Sequence, residues 1–274
     1  NAASSPDGFT NLRFAALANV RPYAPFFPAA YARPGEKPAI ALAIECADEA
    51  VRAFTNAISL DAGLEAFLAA LESNARAIQE TCAAACSNND VDFKGLDFSP
   101  APYPQEWCSL GKAMELLGVP ALGNPGSLAI AAVLASALDK GNWQRTGFNG
   151  LMLAVLEDST LAHRAAESRL TLKDLLLYSA VCGTGLDTIP LPGDATPSQV
   201  SSVLMDLGAL AIRLNKPLTG RLMPIPRKKA GDATCFEFEY FANSRVMALE
   251  GDALGAPFVT APEIDITPRK SKRD

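Results

Sequence analysis

The sequence is poor in the side chains that most metal and nucleophile sites use. It contains one histidine and six cysteines in 274 residues, and no two cysteines are spaced as CxxC. A zinc site of the usual composition is therefore not expected. Because the cysteines are scattered among apolar residues, we expect reduced, buried thiols in a cytoplasmic protein.

Positive charge and long apolar runs are also scarce. The formal net charge is −6 and the pI is near 5.0, so no basic field is present to attract nucleic acid. The longest apolar runs, Ser127–Leu138 and Gly150–Leu156, fall short of the roughly 20 residues that span a bilayer. We therefore expect neither nucleic acid nor a membrane as a partner.

The chain lacks an initiating methionine and the basic and apolar regions of a signal peptide. We interpret it as a fragment or a processed chain whose front is missing. Its hydrophobic content of 49% is enough for a sizeable core, and we assign residues 1–260 to a single α/β domain. The basic end, residues 261–274, is expected to be a disordered tail.

Apolar, strand-like segments alternate with helical patterns along the chain. This alternation predicts an α/β fold with a largely parallel sheet or barrel. The nearly unbroken apolar character of Phe148–Leu156 is typical of a parallel strand covered on both faces. Strands are predicted at 11–20, 38–45, 91–98, 148–156, 189–194 and 218–225, and helices at 47–58, 61–78, 109–117, 127–139, 171–179 and 196–214.

Carboxylates follow two of the predicted strands. Glu157 and Asp158 come directly after Phe148–Leu156, at the strand end where ligand-contacting residues of α/β folds gather. In the alternative interpretation, Asp158 or Ser159 caps the next helix and Glu157 is solvated. Asp97, at the end of an earlier strand, is likewise either a site residue or a turn residue.

A glycine-rich stretch lies further along the chain. Gly183 and Gly185 flank Thr184, so the backbone there can adopt positive φ and approach a ligand closely. Cys182 is either a nucleophile or a buried thiol. Asp187 and Asp194 flank the predicted strand 189–194. Together with the carboxylates after Phe148–Leu156 they form an acidic set, which could bind Mg²⁺ or Ca²⁺ or supply a general acid and base.

Two cations stand near the entrance of the last predicted strand. Lys216, after Asn215, and Arg221 could balance the acidic set or clamp an anionic substrate. The alternative is a simple ion pair. His163 is expected on the surface. The loop at Arg21–Tyr31, with its prolines and four aromatic residues, either packs as a connection or forms the wall of a pocket.

Several segments taken together resemble the DUF711 family, also called the UPF0210 family. They read GFNGLMLAVLED, YSAVCGTGLDTIPLPGD, NKPLTGRLMPIP and AGD, the last at Ala230–Asp232, and the resemblance extends from about Ser5 through Met247. It implies a pyruvate formate-lyase-like barrel of parallel strands with surrounding helices, in proteins that are longer at the front.

The chain departs from the resembled proteins in two places. Arg227 stands where the family usually has glycine, which puts a tight turn there in doubt. The segment Ser244–Gly251 does not supply the C-terminal motif of glycyl radical enzymes, so radical chemistry is not implied.

These patterns favour an enzyme, a lyase or hydrolase, that acts on a small anionic metabolite by acid–base chemistry without a glycyl radical. The predicted catalytic residues are Glu157, Asp158, Cys182 and Asp187, and the predicted substrate-binding residues are Gly183, Gly185, Asp194, Asn215, Lys216 and Arg221. A divalent cation is an open possibility. The alternatives are a non-catalytic protein that binds a metabolite or metal ion, or a structural subunit of an assembly. A homo-oligomer, or a second chain that supplies the missing front, is the expected partner.

Overall fold

A computed structural model describes residues 7–270 apart from positions 27, 182, 252 and 257. The described residues form both helices and strands, in mixed order, which confirms the α/β class. The strands are β1 (Ala16–Ala18), β2 (Ala39–Ala43), β3 (Asp92–Asp97), β4 (Gly185–Pro192) and β5 (Leu218–Ile225). The helices are α1 (Ala47–Thr55), α2 (Leu60–Asn89), α3 (Leu110–Leu116), α4 (Ser127–Asp139), α5 (Ser159–Ala166), α6 (Leu172–Val181) and α7 (Pro197–Arg213). In this part of the chain no helix is long and apolar enough to cross a bilayer.

The strands form two small sheets. One has the order β1-β5-β4, in which β5 pairs in parallel with β4 and antiparallel with β1. The other consists of the parallel pair β2-β3. A closed barrel requires every strand to be paired on both edges. Over the described ranges the edge strands β1 and β2 do not pair with each other, so the predicted barrel is not found.

The segment 144–156 connects the two sheets. Arg145 forms an isolated parallel bridge with Leu96 of β3, and Ala154 forms another with Asp187 of β4. Backbone hydrogen bonds run from Leu96 N to Gln144 O at 2.8 Å and from Val155 N to Asp187 O at 3.0 Å. The segment thus lies between β3 and β4. The predicted strand at 148–156 is wrong as a regular strand, because it pairs only through these isolated bridges.

Asp97, at the end of β3, explains why the connecting segment is irregular. Its carboxylate is fully buried and accepts hydrogen bonds from Phe148 N at 2.6 Å and from Asn149 N at 2.8 Å. Holding both amides requires a tight turn, in which Gly147 and Asn149 have φ of 71° and 47°. Burial raises the pKa of Asp97, and these hydrogen bonds act against that rise. Of the two alternatives for Asp97, a site residue or a turn residue, these contacts support the turn residue.

Local sequence signals located most of the remaining elements. Thr196 begins α7 with a capping box, in which its hydroxyl accepts from Gln199 N at 3.3 Å. The start of α2 differs from expectation, because Ser59 and not Asp61 is its N-cap. The structure also places β4 four residues earlier than predicted, beginning at Gly185.

The main core runs from α2 through α4 and α6 to β4. Phe67 and Leu71, one turn apart on α2, are fully buried, as are Leu134 of α4 and Leu186 and Ile189 of β4. Burial of side chains of this size contributes about 1.5–3 kcal/mol each. The packed helices thus hold β4, and with it Asp187, in a fixed position.

A tight turn follows β5 although the glycine of the resembled family is replaced there. Lys228 N donates to Ile225 O at 3.1 Å, and Gly193 N donates to Lys228 O at 2.9 Å. Arg227 occupies the third position of the turn with φ of 65°, a conformation that favours glycine. The turn is retained, and Arg227 carries its backbone strain.

Arg227→Gly should therefore stabilise the protein. Relief of the left-handed conformation gains about 1–2 kcal/mol, and the greater freedom of glycine in the unfolded chain offsets part of that gain. We expect a net increase of about 0.5–1 kcal/mol in the free energy of unfolding, measured by urea denaturation. In the matched control Lys228→Gly, where φ is not positive, the free energy should fall. Equal effects of the two changes would contradict this account of the turn.

Candidate active site

One guanidinium joins two carboxylates from separate parts of the chain. Arg221 of β5 donates from Nη2 to Glu157 Oε1 at 3.0 Å and from Nε to Asp187 Oδ1. The Arg221 and Asp187 side chains are only 9% and 6% exposed. Three of the predicted site residues are thus brought together, from β4, β5 and the end of the connecting segment.

A bulge in β4 positions Asp187. The pairing of β4 with β5 shifts register between Leu186 and Ile189. Within this bulge Thr188 has φ of 44°, which is unusual for a β-branched residue. Its hydroxyl accepts a hydrogen bond at 3.1 Å from the backbone N of Leu156, the residue before Glu157. The strained bulge therefore ties the two carboxylate-bearing segments together next to Arg221.

Glu157 is the carboxylate with access to solvent, since 17% of its side chain is exposed. Burial raises its pKa to about 8; attraction to Arg221 acts against this rise, and repulsion by Asp187 and Glu45 adds to it. A single positive charge cannot fully satisfy two enclosed carboxylates. A proton on Glu157 near neutral pH relieves the excess negative charge.

Arg221 remains charged in this setting. Burial acts to lower its pKa, but attraction to Asp187 and Glu157 and the hydrogen bond to Asp187 raise it above the ordinary arginine value. The guanidinium is therefore a fixed positive charge, and the titrating group beside it is Glu157.

Asp158 lies apart from this cluster even though it follows Glu157 directly. It is the N-cap of α5, and its Oδ1 accepts from Thr160 N at 2.9 Å and from Leu161 N at 3.0 Å. Ser109 Oγ at 2.6 Å and Gly111 N at 2.9 Å complete its contacts. Asp158 is fully buried. Asp158 thus caps α5, as in the alternative interpretation of the sequence. Nothing in its surroundings supports the predicted catalytic role.

The two glycines serve contacts between backbone segments. Gly185 has φ of 113°, and a Cβ atom there would lie 2.1 Å from Thr219 O of β5. At Gly183, φ is 130° and a Cβ atom would lie 3.3 Å from Leu151 O. These close approaches explain both glycines without a ligand. Cys182, the predicted nucleophile, lies outside the described residues.

The other predicted binding residues lie elsewhere. Asp194 is exposed beyond the far end of β4, where Asp187 and Pro192 are separated by roughly 15 Å of strand. Asn215 takes φ of 50° at the end of α7 and accepts from Asn19 Nδ2 at 3.4 Å. Lys216 Nζ donates to Ser179 O in α6 at 2.7 Å. Among the predicted site residues with described positions, the hydrogen bonds join Glu157, Asp187 and Arg221.

Metal binding by the acidic set has no support in the described part of the chain. No group of three His, Cys, Asp or Glu side chains there could hold a metal ion. The proposed Mg²⁺ or Ca²⁺ thus lacks a ligand set among these residues. His163 is on the surface as predicted, with Nε2 3.1 Å from Glu167 Oε1.

The proline-rich loop forms one wall of a small cavity beside Arg221. Phe26 and Pro28 line it together with Thr184, Asp187 and Arg221. The pocket-wall alternative for this loop is therefore the correct one of the two.

A family model described as "Uncharacterised ACR (DUF711)" matches residues 1–240. The chain belongs to the DUF711 family. The matched range agrees with the resemblance expected from about Ser5 through Met247, and it includes Glu157, Asp187 and Arg221.

Relatives in this family carry the name UPF0210 protein. One from Pyrobaculum aerophilum is 40% identical over 146 residues, which are 52% of this chain and 33% of that protein. One from Oleidesulfovibrio alaskensis is 34% identical over 173 residues, which are 62% of this chain and 38% of that protein. The chain thus spans about a third of the length of the curated relatives it matches.

Two threonines of the candidate site were not among the predicted site residues. Thr184 lines the cavity and Thr188 forms the bulge. A signal existed for Thr184, because it stands between two glycines, Gly183 and Gly185. Thr188 gave none, since a β-branched residue in a strand pattern predicts ordinary extended backbone.

Arg221→Ala should destabilise the protein strongly, because it leaves Asp187 and Glu157 enclosed without a counter-charge. Removal of one partner of a buried ion pair costs about 3–5 kcal/mol. The matched control is Arg33→Ala, which breaks an exposed pair with Glu36 and should cost at most about 1 kcal/mol. Urea denaturation of the three proteins measures the difference, and equal losses for the two variants would contradict the assignment.

The raised pKa of Glu157 predicts a pH dependence of stability. Between the unfolded value near 4.5 and the folded value of about 8, the folded chain holds a proton that the unfolded chain releases. Stability from this group is therefore lost as the pH rises through that window, by at most about 1.4 kcal/mol per pH unit. Glu157→Gln should remove this component of the pH dependence.

The comparison uses urea denaturation at pH 5 and pH 8. Glu167→Gln is the control. Burial acts to raise the pKa of Glu167, but the hydrogen bond from Arg164 and the attraction of the neighbouring cations together lower it, so that Glu167 titrates below this window. A wild-type protein and a Glu157→Gln variant with the same change in stability between the two pH values would show that Glu157 titrates normally.

Proposed function

We propose that this chain carries the acid–base site of an enzyme acting on a small metabolite, with Glu157 as the group that gives and takes the proton. Arg221 is the fixed charge that orients Glu157, and Asp187 holds Arg221. The reaction class that fits is a lyase or hydrolase working by polar chemistry, without a glycyl radical. The expected oligomeric partner and cytoplasmic location remain predictions.

The position of Glu157 is the observation that carries the proposal. It combines a contact with a buried guanidinium, partial exposure of 17%, and a pKa raised to about 8 by burial. A general acid–base group works best when its pKa lies near the ambient pH, because both protonation states are then populated. An ordinary glutamate is almost fully ionised near neutral pH and cannot act as an efficient acid.

The local backbone supports the same proposal. Thr188 holds a left-handed conformation beside Asp187, and such strain costs of the order of 1–3 kcal/mol. Bulges and strained residues cluster where a side chain must be aimed at a site. If these contacts served only to join the strands, Asp187 would not need to lie in a bulge.

The contacts of the cations argue against the anionic substrate that the sequence predicts. Arg221 is already engaged by Glu157 and Asp187, and Lys216 donates to a carbonyl of α6. An anion bound to Arg221 would lie close to both carboxylates, which repel it. An uncharged polar group of the substrate is therefore favoured at this position.

Deuterium exchange tests the proposal without knowledge of the product. The protein is incubated in D₂O with a mixture of small metabolites, and mass spectrometry follows deuterium incorporation and consumption of each compound. We expect at least one compound to exchange or disappear, and Glu157→Gln to slow that change by roughly 100-fold or more, the usual contribution of a general acid–base group.

Glu167→Gln, an exposed glutamate on the next helical segment, is the control and should retain the activity. Exchange that survives Glu157→Gln in a folded protein would overturn the proposal. Carbon-13 NMR of the Glu157 carboxyl provides an independent measure, since titration near the ordinary glutamate value would also reject it.

A further inference from the structure

A small cavity lies on one side of Arg221. Its volume is about 30 Å³, and its apolar wall includes Phe26, Pro28 and Met152. A polar cavity needs roughly 10–15 Å³ to hold one water molecule. The space therefore admits a group of one or two non-hydrogen atoms.

Thr184 presents an unsatisfied hydroxyl in this cavity. The residue is 1% exposed, and its Oγ1 has no hydrogen-bond partner among the described residues. Its backbone is fully engaged, since its N donates to Leu151 O at 3.1 Å and its O accepts from Thr219 N at 2.6 Å. A buried polar atom without a partner costs about 1–3 kcal/mol. These backbone bonds keep Thr184 in place at the cavity.

The two charged side chains of the cavity have bonding capacity left. Arg221 uses Nε and Nη2 for Asp187 and Glu157, and Asp187 uses Oδ1. Within the described ranges no hydrogen bond involves Arg221 Nη1 or Asp187 Oδ2. The side chains that line the cavity thus have a donor, an acceptor and a hydroxyl left without hydrogen bonds. A buried water molecule typically makes about three hydrogen bonds.

We propose that this cavity is a binding site for one uncharged, oxygen-bearing group. The group is a water molecule from solvent or the hydroxyl or carbonyl oxygen of a substrate. An anion would meet Asp187 and a cation would meet Arg221 in an otherwise apolar enclosure, so the charges favour a neutral dipole. The inference rests on the proposed function and deepens it, because the bound oxygen would contact the same guanidinium that orients Glu157.

Crystal structures of the wild-type protein, Thr184→Ser and Thr184→Val test this site. The serine keeps the hydroxyl, and the valine replaces it by a methyl group of the same shape. We expect density for one oxygen within hydrogen-bond distance of residue 184 in the wild type and the serine variant. We expect that density to be lost in the valine variant.

Two conditions separate the two sources of the oxygen. Crystals grown without alcohols test for water, and crystals soaked in methanol test for a hydroxyl group attached to carbon. Density in either condition supports the site, and an empty cavity in both overturns it. If the valine variant fails to fold, the wild-type and serine crystals still decide.

The proposed function and the subsite fail in different ways. Exchange activity that persists in Glu157→Gln, with oxygen density present at Thr184, would overturn the acid–base proposal alone. An empty cavity together with an exchange activity that depends on Glu157 would overturn the subsite alone.

Discussion

A single buried guanidinium faces two carboxylates, and this imbalance governs the site. Removing an ion from water costs several kcal/mol, which only a close counter-charge offsets. Arg221 supplies one positive charge for Asp187 and Glu157, so the cluster carries a net negative charge unless a proton joins it. Burial and repulsion by Asp187 raise the pKa of Glu157 to about 8, so that this carboxyl holds a proton near neutral pH.

The same contacts require irregular backbone. Side chains of a regular strand alternate between its two faces, so the direction of Asp187 is set by its register with β5. The bulge at Thr188 changes that register beside Asp187. At the end of β3, in the other sheet, Asp97 holds the chain in a turn through hydrogen bonds from Phe148 and Asn149. The segment between these two fixed points therefore pairs with its neighbours only at isolated bridges.

Sequence patterns predicted the elements whose signals are local. Strand β5 and helix α4 have the predicted bounds, and the capping box of Thr196 marks the start of α7. The segment 148–156 was predicted as a strand because its apolar run gives no sign that Asn149 takes positive φ. That conformation follows from its contact with Asp97, which is 52 positions away in the chain. Long-range contacts of this kind are not encoded in periodicity.

The candidate site was only partly predicted, because its arrangement also depends on contacts between distant parts of the chain. The pattern marked Glu157, Asp187 and Arg221, which the structure brings together, since each lies where a polar residue interrupts an apolar segment. It could not decide which end of β4 faces the site, so Asp194 was grouped with Asp187 although it lies beyond the opposite end. Adjacent residues were also treated alike. The N-cap geometry turns Asp158 into a helix cap, while Glu157 reaches Arg221.

Sharing one guanidinium couples ligand binding to proton affinity at this site. A dipole bound beside Thr184 would compete with Glu157 for the positive charge of Arg221. Weaker attraction to Arg221 would raise the pKa of Glu157 further, because that attraction is what opposes the effect of burial. By linkage, a protonated Glu157 would in turn leave Arg221 more available to the ligand. Binding and protonation would thus favour each other, which is the order of events that a general acid requires.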